Sequence, residues 1–198
     1  MEPSIRRATA LDHAAVLDAI SQAFFSDPVW SWVFADEAQR NAHYTEWWQF
    51  AIGAGLRHDS IDVTRSCGAV AIWIPPGVPE LTDEEDARAD ALFRRACGAR
   101  GDEVVEAVAQ FELAHPRDEP HWYLSVVATH PEHRGGRLGV GLIEHQLVRI
   151  DAIHLPAYLE SSNPANLARY VGLGFEVRDE FRMGDAGPLV TTMWRPAR

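Results

Sequence analysis

Apolar positions along this chain recur with two periods, and the switches between them mark the elements. Between residues 12 and 25, Ala14, Val16, Leu17, Ile20 and Phe24 return every three or four positions, the stripe of a helix buried on one face. Asp12 is placed to offer an N-cap oxygen. Asp27-Pro28 closes the helix, because a residue before proline is pushed out of the helical region. Ser4 to Arg7 predicts a short first strand. Ser60 to Thr64 and Gly68 to Ile74 predict a hairpin that ends at Pro75-Pro76, and its Ala69 to Ile74 run is apolar enough to be buried on both faces. From Thr82 to Ala114 the period is helical again, with acidic residues in the first turn and a break around Gly98 to Gly101, which predicts two helices.

After the charged, proline-punctuated loop His115 to Pro120, the β-branched and aromatic run Trp122 to Thr129 predicts a fourth strand bounded by His130-Pro131. An amphipathic helix from about Leu138 to Ile153 follows, then a strand at Ala157 to Glu160, a helix carrying Asn166 to Tyr170, and strands at Glu176 to Arg182 and Leu189 to Trp194. The stretch Val29 to Phe50 holds Trp30, Trp32, Phe34, Tyr44, Trp47, Trp48 and Phe50, an aromatic density that either packs as core or lines a pocket.

Composition narrows the class. A chain of 198 residues with 46% hydrophobic content fits one globular domain spanning 1–198, with no internal repeat or linker. The net charge of -11 repels a phosphate backbone, so nucleic acid is not the expected partner. The same charge draws in cationic ligands or serves solubility. All 18 basic residues are arginine, which excludes a Walker-type phosphate loop and a pyridoxal Schiff base, both of which need lysine. Cys67 and Cys97 stand alone in no metal-ligand spacing, as reduced thiols of a cytoplasmic protein would. Met1 to Ala10 leads into no apolar segment, and no run of 18 apolar residues occurs, so a soluble, non-exported protein with no membrane partner is expected.

Chemistry concentrates in two segments. Arg134-Gly135-Gly136-Arg137-Leu138-Gly139-Val140-Gly141 lies where the fourth strand meets a helix, and glycines there let backbone N–H groups face an anion. Leu159 to Asn166 leads into Tyr170, Gly174 and Phe175. Together the segments resemble the GCN5-related N-acetyltransferase superfamily, in which a phosphate-binding turn after strand four is followed by an Asn, Tyr and Gly-Phe segment after strand five. Ala69 to Trp73, Glu119-Pro120, Trp122 and Pro156 to Phe175 look most like the puromycin N-acetyltransferase-like members. The pattern departs at Arg137, which stands where the superfamily has an internal glycine. There it either crowds the pyrophosphate and forces an unusual backbone or points outward to pair with a phosphate.

The resemblance implies an α/β fold whose mixed, mostly antiparallel sheet of the seven strands above splays between the fourth and fifth, flanked by helices. It implies acetyl-CoA as cosubstrate, no metal, and a small-molecule amine as acceptor, in a monomer or homodimer. Ser125, Val126, Val127 and Ala128 are then expected to pair with the pantetheine arm, Arg134 to Gly141 to hold the pyrophosphate, and Asn163 and Asn166 to steady the arm. Tyr170 is the expected acid toward the leaving thiolate. With reference values of about 10 for tyrosine and 8.5 for a thiol, full transfer runs roughly 2 kcal/mol uphill, which favours a strong hydrogen bond. Glu160, His121, Glu112 and Asp27 are all candidate bases, with Glu160 taken as the expected one and a water chain as a further alternative. Phe24, Trp30, Trp47 and Trp73 are the expected acceptor pocket. A non-catalytic acyl-CoA sensor and a protein N-acetyltransferase are the competing functions.

Overall fold

The computed structural model describes residues 4–198, so the stretch Met1 to Ala10 is seen only from Ser4 onward. Its centre is a seven-stranded sheet in the order β1-β2-β3-β4-β5-β7-β6. The strands are β1 (Ile5–Arg7), β2 (Ile61–Thr64), β3 (Ala69–Ile74), β4 (Trp122–Thr129), β5 (Ala157–Ser161), β6 (Glu176–Arg182) and β7 (Leu189–Arg195). Every neighbouring pair is antiparallel except β4 and β5. A parallel pair needs a long crossover, and helix α6 (Leu138–Asp151) supplies it.

The aromatic stretch resolves into α2 (Pro28–Val33) and α3 (Glu37–Arg57), after α1 (His13–Phe24). Two aspartates explain that division. Asp27 caps α2 by accepting from the N–H groups of Val29 and Trp30, and Asp36 caps α3 by accepting from Ala38. Helices α4 (Asp83–Cys97) and α5 (Gly101–Ala114) break at Gly98, whose φ of +55° suits glycine. Helix α7 (Leu167–Gly172) follows β5.

The sheet buries both faces. One face presents Ile61, Val63, Val70, Ile72, Ile74, Val126 and Ala128 to the layer formed by α1, α3, α4 and α5. The other presents Ala69, Ala71, Trp73 and Leu124 to Leu142, Ile143, Leu147 and Ile150 of α6. Each fully buried Leu or Ile is worth roughly 1.5–3 kcal/mol over an exposed one, so the α6 crossover is firmly clamped to the sheet.

Two irregularities position the site. Ile72 lies opposite Val126 while Trp73 lies opposite Leu124, so Ser125 is an extra residue on β4, a β-bulge. The bulge reverses the alternation: Leu124 shares the α6 face with Trp73, and Val126 shares the opposite face with Ile72. The parallel pairing of β4 with β5 is limited to Trp122–Ala157, Tyr123–Tyr158 and Leu124–Leu159. From Ser125 to Thr129 the β4 edge has no β5 partner, and the strands diverge at the bulge.

Candidate active site

The open β4 edge runs into a 3-10 turn at Pro131–His133 and then into the glycine-rich segment at the start of α6. No side chain caps α6, so its first N–H groups remain available to an anion. Gly135 has φ of +93°, which favours glycine. A Cβ on Gly139 would lie 3.0 Å from Thr129 Oγ1 and 3.4 Å from Val127 Cγ2, so this glycine lets α6 press against β4. Arg137, the N-cap of α6, has φ of 55° and ψ of 24°. An arginine thus adopts the left-handed backbone for which glycine is usual, at a cost of roughly 1–2 kcal/mol. Its side chain is 76% exposed and reaches Glu144 at 3.4 Å, so it points outward and does not fill the cradle. Arg134 ties the turn to the end of α1 by donating to the Ala23 carbonyl at 3.3 Å. These groups fit a pyrophosphate.

Across the gap, Asn163 caps the Pro164–Asn166 turn, its Oδ1 accepting from the Ala165 N–H at 3.0 Å, and the Asn166 Oδ1 accepts from Arg169 at 2.5 Å. Both side-chain oxygens are engaged locally. Tyr170 is buried edge-on to Phe175, with ring centroids 6.3 Å apart. Burial, with a smaller contribution from the Asp27 charge, pushes its hydroxyl up to about 12. That widens the gap to a thiol and strengthens the case for a hydrogen bond over full proton transfer. Asp27 itself is fully engaged. One oxygen caps α2 and the other accepts from Ser162 at 2.7 Å, which joins α2 to the loop after β5. Burial raises its carboxyl, and both oxygens are already committed to hydrogen bonds.

On the same sheet face as α1 to α5, β4 and β5 bring Tyr123, Tyr158 and Glu160 together. The Glu160 side chain is 2% exposed; its Oε1 lies 3.8 Å from His115 Nδ1 with no hydrogen-bond partner among the described residues, and the Tyr123 and Tyr158 hydroxyls stand against the carboxylate. Burial drives the Tyr123 hydroxyl well above its usual value, and the charges of Glu160 and Glu80 add to the effect. Tyr158 is raised by burial and then by Glu160, and its hydroxyl donates to the Ala114 carbonyl at 3.3 Å. The two histidines touch: His115 Nε2 and His121 Nε2 lie 3.1 Å apart, and His121 Nδ1 lies 2.7 Å from the Glu119 carbonyl. Burial lowers His121. Glu112, another candidate base, is exposed and paired with Arg117.

The residue that sequence reasoning missed is Glu80. It sits in the loop between β3 and α4, and its carboxylate accepts from the hydroxyl of Ser125 at the bulge. Burial pushes it up to about 7, against the lowering effect of the Ser125 hydrogen bond, with Glu160 adding to the rise. Arg57, at the end of α3, fixes this loop. It donates to the Glu80 carbonyl at 3.2 Å and to both Glu85 oxygens at 3.1 and 3.0 Å. Glu85 in turn closes a capping box with Thr82 at the start of α4. The Thr82-x-x-Glu85 pattern following Pro79-Glu80 was the available signal, but it marks a helix start and says nothing of what faces the preceding loop.

The aromatic set divides. Trp30 lies 5.0 Å from Trp47, 5.2 Å from Trp48 and 6.2 Å, stacked, from Phe111, which meets Phe181 at 5.1 Å. Phe24 packs on Trp48 at 4.8 Å. Phe24, Trp47, Phe111 and Phe181 are half-buried, so this pile reaches from the core toward an accessible wall, with Phe111 and Phe181 as additions to the expected residues. Trp73 does not belong to it. It is fully buried on the α6 face, so its place is in the core and not in an acceptor pocket, because the strand alternation turns it away from α2 and α3.

No family model matches the chain. It is 24% identical over 181 residues, 86% of its own length and 73% of the relative's, to an uncharacterized N-acetyltransferase, C550.08, of Schizosaccharomyces pombe. Among solved structures, the histone acetyltransferase HPA2 and related acetyltransferase from Corynebacterium glutamicum is similar over all of this chain and 98% of that one, at 27% identity and a TM-score of 0.74. A Drosophila melanogaster polyamine N-acetyltransferase that forms N-acetylagmatine matches over 98% of this chain and all of its own, at 12% identity and a TM-score of 0.67, a likeness of fold alone. The sheet with its single parallel pair is the fold of the GCN5-related acetyltransferases, and the relatives support an N-acetyltransferase.

Proposed function

We propose, from the GCN5-related acetyltransferase fold as premise, that this chain acts as a single domain and transfers the acetyl group of acetyl-CoA to the primary amine of a small molecule. The observation that carries the reading is the unpaired β4 edge from Ser125 to Thr129 leading to the uncapped start of α6. An extended amide-bearing chain adds to such an edge as a strand would. A pyrophosphate suits the helix N-terminus beyond it.

Acetyl-CoA supplies the activated thioester. The chain's own part is to bind, orient and manage protons. The backbone of Ser125, Val126, Val127 and Ala128 holds the pantetheine amides, and a free N–H on this edge stabilises the negative charge that develops on the acetyl oxygen. Arg134, the N–H groups from Gly135 to Gly141, and Arg137 hold the phosphates, with Arg137 exchanging its weak contact to Glu144 for a phosphate oxygen. The side-chain nitrogen of Asn163 and the segment through Asn166 steady the arm. The Tyr170 hydroxyl donates to the departing sulfur. Phe24, Trp30 and Trp47, extended by Phe111 and Phe181, form the acceptor wall, and the carboxylates of Glu80 and Glu160 favour a cationic amine of metabolite or antibiotic type.

A thermal-shift series with acetyl-CoA followed by a thiol-release assay over a panel of small amines tests this. Stabilisation by acetyl-CoA and turnover of at least one small amine are expected. Tyr170→Phe is expected to lower turnover at least about tenfold with acetyl-CoA affinity held within about twofold. Stabilisation with no turnover on any amine would support the sensor instead.

A further inference from the structure

We propose that Glu80 is the group that takes the proton released by the attacking amine, and that Glu160, His115 and His121 form the polar chain behind it. This rests on the acetyl-transfer reading. The first support is position. Ser125 is the bulge residue at which β4 and β5 part, and its hydroxyl is donated to Glu80, so one carboxylate is pinned at the mouth of the gap. The second is rigidity: Arg57, Glu85 and Thr82 fix the loop from the side away from the gap. The third is the absence of a counter-ion. Among the described residues no arginine pairs with Glu80 or Glu160, although Arg7, Arg149 and Arg195 are matched to Asp62 and Asp151 elsewhere. The groups acting on Glu80 are Ser125 from β4, Glu160 from β5, His115 after α5 and Asp86 from α4.

Glu160, the base expected from sequence, is enclosed by Tyr123, Tyr158 and His115 and stands behind the gap. Hydrogen bonding sets the protons of this rear chain. His121 Nδ1 donates to the Glu119 carbonyl, which leaves its Nε2 as an acceptor, so His115 Nε2 must donate to it. His115 Nδ1 then faces Glu160 Oε1 at 3.8 Å, beyond direct hydrogen-bond reach. The His115 side chain is 20% exposed and opens this chain to solvent.

The proton balance leaves one proton for such a group to take. When an ammonium becomes an amide, the nitrogen keeps one hydrogen and loses two protons as the N–C bond forms and the C–S bond breaks. One proton ends on sulfur beside Tyr170. The other passes to Glu80 and then to solvent. Glu80 is therefore a catalytic residue, and Glu160 and His115 are positioning residues that tune it.

The test compares two acceptors, an alkylamine protonated at neutral pH and a hydrazide that is already neutral there. Glu80→Gln is expected to lower kcat/KM for the alkylamine about 100-fold and for the hydrazide less than about tenfold, with acetyl-CoA affinity unchanged and the near-neutral inflection of the pH profile lost. Glu160→Gln is expected to lower kcat/KM less and to move that inflection to lower pH, because a like charge has been removed. Equal losses on both acceptors, or an inflection that persists in Glu80→Gln, would overturn the assignment. An NMR titration of the Glu80 carboxyl in the wild-type chain and in Glu160→Gln reports the same coupling without turnover. If Glu80 titrates near neutrality but the wild-type chain acetylates no amine, the transfer reading fails and the base assignment fails with it. If the wild-type chain is active and Glu80→Gln equals it, the base assignment alone fails.

Discussion

The two faces of the sheet surround their carboxylates differently. On the α6 side, buried Asp62 lies 3.1 Å from Arg7 and 4.0 Å from Arg149, and buried Arg195 grips Asp151 through two hydrogen bonds of 2.6 and 2.8 Å. On the side of α1 to α5, Asp27, Glu80 and Glu160 have no arginine partner among the described residues, and buried Arg40 spends its donors on the carbonyls of Phe25, Phe34 and Ala35. A desolvated carboxylate without a cation is costly, and even beside its arginines Asp62 is raised by burial. Beside the β4–β5 gap, Glu80 and Glu160 differ from Asp151 in having no arginine against them among the described residues, and that difference is what the proposed chemistry would use.

Substitutions on the two faces sharpen or break that contrast. The largest expected effect is on the α6 face, where Trp73→Ala should cost about 3–5 kcal/mol in urea unfolding, because the indole is fully enclosed and the cavity cannot collapse under α6. A cost under about 1 kcal/mol would break the assignment of that face to packing. The next is Glu80→Gln, with the opposite sign. Burial lifts the Glu80 carboxyl from its ordinary 4.5 to about 7, so the folded chain holds this proton more tightly than the unfolded chain does. Its stabilising contribution is intact below about pH 4.5 and is lost as pH rises through 7. The Gln variant escapes that loss and should exceed the wild type by about 1–3 kcal/mol at pH 8 while matching it near pH 4, measured by thermal unfolding across pH. Equal stability at both pH values would mean that the carboxylate is solvated. The smallest effect is at the α6 start. Arg137→Gly relieves the left-handed strain at φ 55° but adds unfolded-state freedom, for a net gain of about 0.5–1 kcal/mol by calorimetry. Acetyl-CoA affinity is expected to fall with loss of the guanidinium.

Much of the framework was legible without coordinates. The fourth strand, Trp122–Thr129, carries its β-branched and aromatic signal between two prolines and falls where expected. The break between α4 and α5 is written in Gly98 and Gly101. Residues 28–57 carried no such forecast, and it is the acidic caps Asp27 and Asp36, and not the dense aromatics, that divide them into two helices. These features are local, set by hydrogen bonds and dihedral preferences within a few residues. Arg137 was identifiable as an anomaly for the same reason, since the glycine pattern around it is contiguous.

The tertiary structure decided what depends on register and on distant partners. A run apolar on both faces, such as Ala69–Ile74, carries no mark of which face meets which layer, so the burial of Trp73 under α6 followed only from strand pairing. The Ser125 bulge is a mismatch between two strands and belongs to neither sequence alone. Glu80 acquires its character from Ser125, 45 positions away, and from Glu160, 80 positions away, and no period or motif links the three. By itself the sequence determined most of the elements and the glycine-rich turn at the start of α6. Which carboxylate is left without a cation at the β4–β5 gap was decided by packing, because desolvation and charge coupling depend on distance in space and not along the chain.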